Sequence, residues 1–132
     1  MRRTHYVAAT AIALVQGTAV SASEGLGGPT LVQMQEIVVP IVDGARAYGR
    51  LRIKLVLLAR DAAAIPPIEA RMPELRETAL IAAAEFAKFY ASPFAPIDAR
   101  RLAHDISSAL TAQDKEHVIS RILLVGVLAE RT

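Results

Sequence analysis

The chain has 132 residues, of which 53% are hydrophobic, so it can form one domain with a packed core. It contains no cysteine, which excludes a disulfide scaffold, a thiolate zinc site and a thiol nucleophile. The formal charge of +2 comes from Arg2 and Arg3, because the rest of the chain has 13 basic and 13 acidic side chains. A balanced domain has no net field to attract phosphate, so we expect no nucleic-acid partner.

Residues 1–22 have the layout of a secretory signal or a weak membrane anchor. Arg2 and Arg3 precede an apolar run from Tyr6 to Val15, and small residues follow as far as Ala22. The run is shorter than the ~20 residues that a spanning helix needs, so a cleaved signal is favoured over a retained anchor. An ordinary buried helix is a third interpretation. Residues 23–30, rich in glycine and polar side chains, are predicted to be a linker, and residues 31–132 to be the folded domain.

Two β-strands are predicted at the start of that domain. Leu31–Val42 is expected to form one strand that lies at an edge or ends near Pro40, because proline cannot donate to a ladder. Asp43 and Gly44 begin a turn, with a loop longer than two residues before the next strand. Tyr48–Arg60 alternates strictly and is expected to be the central strand. Its apolar face consists of Leu51, Ile53, Leu55, Leu57 and Ala59.

Two helices and a last strand are predicted to follow. Asp61 is expected to cap a short alanine turn that Pro66 and Pro67 end. Met72–Tyr90 is the strongest helix, with one buried face made of Leu75, Ala79, Ala82, Phe86 and Phe89. Asp98 should cap a second helix from Ala99 to about Ala112, with Leu102, Ile106, Ala109 and Leu110 on its inner side.

The final segment, His117–Leu128, is apolar on both faces and rich in β-branched residues, which is typical of a buried strand. The predicted fold class is therefore α+β. A small antiparallel sheet of about three strands, in ββααβ order, should be covered on one face by the two helices.

Catalytic and metal-binding patterns are missing from the sequence. His104 has no second ligand at helical spacing, and Glu74 and Glu77 at a helix start are explained by the helix dipole. Serine-hydrolase and phosphate-loop motifs are absent. We therefore expect neither an enzyme nor a cofactor.

The second face of the central strand is the candidate partner-contact surface. Arg50, Arg52 and Lys54 form a cationic ladder, which Val56 and Leu58 continue as an apolar half. Such a surface, half charged and half apolar, fits contact with another subunit or an acidic partner. The alternative is a solvated outer face on which long side chains lie over apolar neighbours.

The order of these elements resembles the family of flagellar basal-body-associated FliL proteins. In that family a strand of the form "gr-l-v-l-l" is followed by a helix that begins P-x-[I/L]-R-[D/E]. The matching residues are Gly49, Arg50 and Leu51 in the strand, and Pro73, Leu75, Arg76 and Glu77 at the helix start. The run Ile37–Val39 and the strand Val118–Leu128 also resemble family positions, so the likeness extends over roughly Gln35 to Leu128.

The resemblance implies a periplasmic domain with a stomatin-like fold. Family members associate with the flagellar stator around the motor, as oligomeric rings, and support motility. By this resemblance we expect a homo-oligomeric accessory protein that contacts stator or motor proteins, either anchored to the inner membrane or released after signal cleavage. The alternative is a soluble periplasmic or secreted binding module of similar fold with no flagellar role.

Overall fold

The computed structural model describes residues 30–132. The predicted leader, and all but the last residue of the predicted linker, lie outside this range. None of the helices within it combines the length and apolar character needed to cross a membrane.

The described part of the chain forms four strands and three helices, so the predicted α+β class is confirmed. The elements in chain order are β1 (Leu31–Gln33), β2 (Ile37–Asp43), β3 (Arg46–Ala59), α1 (Ile65–Ala70), α2 (Met72–Tyr90), α3 (Ala99–Gln113) and β4 (Ile119–Arg131).

The sheet is antiparallel and built around β3, as predicted. β1 and β2 pair with the same edge of β3, one after the other, and β4 pairs with the opposite edge along nearly its whole length. The prediction of a single first strand was wrong. From the pair Gln33–Val56 to the pair Ile37–Ile53, the chain of β1 and β2 advances four residues, whereas β3 advances only three. This extra residue ends β1 and reverses which residues face the core.

The hairpin between β2 and β3 is tighter than predicted. Asp43 pairs with Arg46, which leaves only Gly44 and Ala45 in the loop. Gly44 has a φ of 59°, a conformation open to glycine at little cost and required at the first position of a type II′ hairpin turn. The predicted longer loop was wrong because this glycine allows a two-residue turn.

The five residues predicted to form the apolar face of β3 are all buried, and the helices lie over that face. The Asp61 carboxylate accepts a hydrogen bond from the Ala64 amide at 2.9 Å, which confirms the predicted cap. The next prediction was wrong, because Pro66 and Pro67 begin α1 instead of ending the turn. Proline fits the first helical positions, where its missing N–H would have no partner within the helix.

Helix α2 has the predicted bounds, but one residue of its predicted core face is wrong. Leu75, Ala79 and Phe86 are buried, whereas Phe89 keeps 67% of its surface exposed. Ala87 is buried instead. At about 100° per residue, Phe89 lies ~160° around the helix from Ala87 and therefore faces away from the core.

Helix α3 also follows its prediction, with Asp98 accepting from the Arg101 amide at 3.0 Å. At its other end the buried Asp114 carboxylate accepts from the amides of Val118 at 3.1 Å and Ile119 at 2.9 Å. These two hydrogen bonds fix the start of β4 against the end of α3.

Strand β4 lies at an edge of the sheet and is only partly buried, so the prediction of a buried strand was wrong. It begins at Ile119, later than predicted, and continues to Arg131. No residue of β4 is fully buried, because β3 covers only one of its edges and the helices only one of its faces.

Candidate interaction surface on the open face of the sheet

The five predicted partner-contact residues share the face of the sheet that no described helix covers. We call this the open face. Its basic half contains Arg50, Arg52 and Lys54, and its apolar half contains Val56 and Leu58. The strict alternation of β3 places them there, since every second residue of the strand is buried on the other side.

The basic half is an ion-pair network and not a free cationic ladder. The Arg52 guanidinium binds both carboxylate oxygens of Glu36, at 2.7 and 2.9 Å, and donates to Glu130 at 3.3 Å. Arg50 lies 3.7 Å from the second oxygen of Glu130. Sequence analysis missed both acids, because one lies 16 and the other 78 residues from Arg52. To identify them, one would have to know which segments flank β3 in the sheet.

The network alters the titration of its charged members. The hydrogen bond from Arg52 holds the pKa of Glu36 below its ordinary value of 4.5. Hydrogen bonds to Glu36 and Glu130 raise the pKa of Arg52. Both shifts favour the ionised pair at neutral pH. Two arginines and two acids therefore compensate one another, which leaves Lys54, together with Arg121 opposite Leu58, as the charges on this face that no ion pair within residues 30–132 satisfies.

The break between β1 and β2 positions Glu36 for this network. The backbone carbonyl of Glu36 accepts a hydrogen bond from Arg76 of α2 at 3.0 Å, while its side chain reaches Arg52 on the open face. One residue thus joins the covering helix to the open face. Bulges commonly redirect a side chain in this way.

Lys54 lies across a glycine of the neighbouring strand. Gly126 pairs with Lys54, and a Cβ atom added at Gly126 would be 3.6 Å from Cβ and Cδ of Lys54. The stem of Lys54 therefore lies over Gly126, while its residue as a whole stays exposed. A long stem on apolar backbone with the charge in water is the usual arrangement of a surface lysine.

The apolar half of the open face is larger than the sequence indicated. Val56 is only 2% exposed although no helix within residues 30–132 covers it, and Gln33 and Leu123 lie opposite it on the flanking strands. β4 adds Leu123 opposite Val56, while Leu128, the most exposed apolar residue of β4 at 54%, lies opposite Arg52 of the basic half. The apolar residues of the apolar half are Leu31, Val56, Leu58, Leu123 and Val125.

A second exposed apolar region lies at the hairpin end of the sheet, formed by aromatic residues. Tyr48 contacts Phe94 edge to face with centroids 6.4 Å apart, and Phe94 is largely exposed. On the neighbouring helices, the Arg101 guanidinium lies 3.7 Å above the ring of Tyr90, and Arg101 also donates to the Tyr90 hydroxyl at 2.6 Å. Sequence analysis did not identify this region, because its residues come from four separate elements.

The residues considered for catalysis remain apart. His104 is exposed on α3, beside an open depression that Tyr90, Arg101 and Asp105 help to line. Within residues 30–132, no three His, Cys, Asp or Glu side chains gather in an arrangement that could hold a metal ion.

Comparison with known proteins gives no relative: no family model matches the chain, and no curated protein matches its sequence.

Proposed function

We propose that this protein is a non-enzymatic, FliL-like accessory domain of the flagellar basal body. In this proposal it works in the periplasm, contacts stator or motor proteins, and supports motility. The open face of the sheet is the contact surface. The single observation that carries the proposal is that an extended, half-charged and half-apolar sheet face is free of any covering element in residues 30–132.

The residues that resemble the family have linked structural roles, which supports the proposal. Gly49 allows close approach of β3 to β4, because a Cβ atom there would be 2.1 Å from the carbonyl oxygen of Glu130. Leu75 is buried under the sheet, and Arg76 donates to the carbonyl of Glu36. The strand motif and the helix motif therefore act on the same region, which is the frame that supports the open face.

The contacts favour Lys54 and the apolar half as the partner-binding part of this face. Arg50 and Arg52 are already paired with acids of their own chain, so a partner would have to compete for them. Lys54 has its charge in water, and Leu58, on the same face beyond Val56, is partly exposed. An acidic residue flanked by apolar ones is the partner chemistry that fits this pair.

A motility assay in the flagellated source tests the proposal. Deleting the gene should reduce swimming, and the wild-type chain should restore it. A Lys54→Glu/Leu58→Asp variant should not restore it, because it reverses the unpaired charge of Lys54 and places a charge in the apolar half. The matched control is Lys115→Glu, which reverses an exposed charge on the turn after α3 and should restore swimming fully.

Three outcomes contradict parts of this account. A source without flagella, or undiminished swimming after deletion, would contradict the flagellar role and leave a periplasmic binding module. Full restoration by Lys54→Glu/Leu58→Asp would contradict the open face as the contact surface. Both variants must be checked for unchanged circular dichroism, so that a loss of motility reports on contact and not on folding.

A further inference from the structure

Strand β4 presents a long edge that has no partner among residues 30–132. It pairs with β3 on one side, and no described strand pairs with its other side. The eight residues 122–129, ILLVGVLA, contain no charge and no proline. Natural sheets commonly protect an exposed edge with lysine, proline or a very short strand. The middle of β4 has none of these features, so its backbone is available to another strand.

Alternate residues of this edge point their backbone groups away from β3. The amide of Thr132 donates into β3 at 3.2 Å, so by alternation the N–H and C=O groups of Ala129 and Val127 point outward. Leu55 accepts a hydrogen bond from the amide of Met34, just after β1, on the side away from β4, so its β4 partner Leu124 also points outward. The same pairing pattern directs Ile122 outward.

We propose that β4 pairs with β4 of a second copy of this chain, antiparallel and related by a two-fold axis. In this arrangement Arg121 of each copy lies opposite Glu130 of the other. The two sheets become one continuous sheet with the helices on one side and a joined open face on the other. The inference concerns self-association only and does not rest on the flagellar role.

The alternation of faces selects this class of register. Val125 has no partner in β3, and this bulge shifts the pattern within β4. From Ile122 onward, core-facing residues are even-numbered before it, as in Ile122 and Leu124, and odd-numbered after it, as in Val127 and Ala129. Only a register that places even residues opposite odd ones keeps core-facing side chains together.

Charge then selects one register among those. Placing Arg121 opposite Glu130 puts Ile122 opposite Ala129 and Leu124 opposite Val127, and these four are the residues whose backbone groups point outward. It also puts Leu123 opposite Leu128 on the open face. Backbone direction, side-chain face and charge therefore agree in a single alignment. Cross-strand pairs of this kind are the unit of sheet stabilisation.

The sequence of β4 is complementary to itself when two strands run antiparallel, which is why we propose a second copy of the chain as the partner. One end of the apolar stretch carries Arg121 and the other carries Glu130, so a two-fold rotation places each charge opposite its complement. A second copy also covers the partly exposed core-facing residues of β4, which no helix covers completely.

Cysteine cross-linking of the full chain tests the register directly, since the natural chain has no cysteine. In the proposed dimer Leu123 lies opposite Leu128 of the other copy. Directly opposed residues have Cα atoms about 4.5–5.5 Å apart, within the range of a disulfide. Mixing Leu123→Cys with Leu128→Cys chains should give a covalent heterodimer on mild oxidation. Either variant alone should give little covalent dimer, because its two cysteines are about 16 Å apart along the strand.

A charge exchange provides an independent measurement. By sedimentation velocity, Arg121→Glu should weaken the dimer, with roughly a tenfold rise in the dissociation constant, or about 1.4 kcal/mol. Glu130→Arg should weaken it at least as much, because it also breaks the ion pairs of Glu130 with Arg52 and Arg50 in its own chain. An equimolar mixture of the two should dimerise again, because every cross-strand pair is then complementary. Arg100→Glu, on the exposed surface of α3, should leave the wild-type constant unchanged.

Several results would overturn the proposal. If the wild-type chain stays monomeric at about 100 µM, the proposed dimer does not form, whatever else covers β4. Covalent dimers that form equally well from either cysteine variant alone would exclude this register. Mixed charge variants that fail to recover would exclude the pairing of Arg121 with Glu130.

Discussion

The two edges of the sheet differ in nearly every feature that decides whether a strand can be joined by another. The β1–β2 edge is interrupted after three residues, carries Pro40 in β2, and has the charged Glu36 at the interruption. The β4 edge continues for 13 residues and is uncharged through its middle. One sheet thus has a protected edge and an open one, which indicates that association is directed to β4.

Arg52 connects the two edges across the central strand. One of its carboxylate partners, Glu36, comes from the protected edge, and the other, Glu130, comes from the open edge. The network therefore holds both outer strands to β3 on the face that has no covering helix. Core burial provides the same cohesion on the other face, through α2 on β2 and α3 on β4.

The largest expected effect distinguishes a buried phenylalanine of α2 from an exposed one. Phe86 is 1% exposed under the sheet, so Phe86→Ala should lower the free energy of unfolding by about 3–5 kcal/mol. Phe89→Ala, on the same helix but facing solvent, should change it by less than about 0.5 kcal/mol. Urea unfolding of both variants checks this. Equal losses would mean that the position of α2 over β2 is wrong.

Removing the close approach of β3 and β4 should disturb only the β4 edge. In Gly49→Ala the new Cβ would collide with the carbonyl of Glu130, so we expect a loss of about 1–3 kcal/mol. Amide exchange should accelerate near Arg131 and stay unchanged in β1. Gly44→Ala, in the hairpin between β2 and β3, is the comparison variant. A Cβ there meets nothing within 4 Å, so only the positive φ is strained. Wild-type exchange near Arg131 in Gly49→Ala would refute the close approach.

A lysine on each edge should distinguish the open edge from the protected one. Leu128 and Val38 are both exposed, at 54% and 45%, and lie on opposite edges. Leu128→Lys should raise the dimer dissociation constant about tenfold, or about 1.4 kcal/mol, since a charge then faces Leu123 of the second copy. Val38→Lys should leave the constant unchanged. Equal effects in sedimentation velocity would remove the distinction between the edges.

The smallest effect depends on pH and concerns the link between the edges. Because the pKa of Glu36 is lowered in the folded chain, its carboxylate stabilises the fold fully above the ordinary value of 4.5. That contribution is lost as the pH falls through the lowered folded-state pKa. Glu36→Gln should therefore be slightly less stable than wild type at neutral pH, and the difference should disappear as the pH falls through the lowered pKa of Glu36. A difference that persists unchanged at low pH would show that Arg52 does not depend on this charge.

Local patterns were enough to predict α2, α3 and the central strand. The bounds of α2, the alternation of β3 and the caps at Asp61 and Asp98 follow from residues close in sequence, so they could be predicted. The split first strand also left a local trace. Core-facing positions change from even, at Val32 and Met34, to odd from Ile37 onward, but a continuous apolar run obscures that change.

Two of the errors concern features fixed by distant residues, unlike those at the hairpin loop, at Pro66 and Pro67, and at Phe89. Whether β4 is buried or lies at an edge depends on which strands lie beside it, and its apolar sequence fits both positions. The partners of Arg52 required knowing that Glu36 and Glu130 flank it in the sheet. The five candidate contact residues were placed on the correct side of β3 by alternation alone, but their charge balance could not be predicted in the same way.

The central claim is that β4, and not the β1–β2 edge, joins a second copy. Site-resolved hydrogen exchange at low and high protein concentration tests it most directly. The account predicts that the outward amides of Ile122, Leu124, Val127 and Ala129 become protected as concentration rises, while the exchange of β2 stays constant. Protection that is independent of concentration, or that appears in β2, would contradict it.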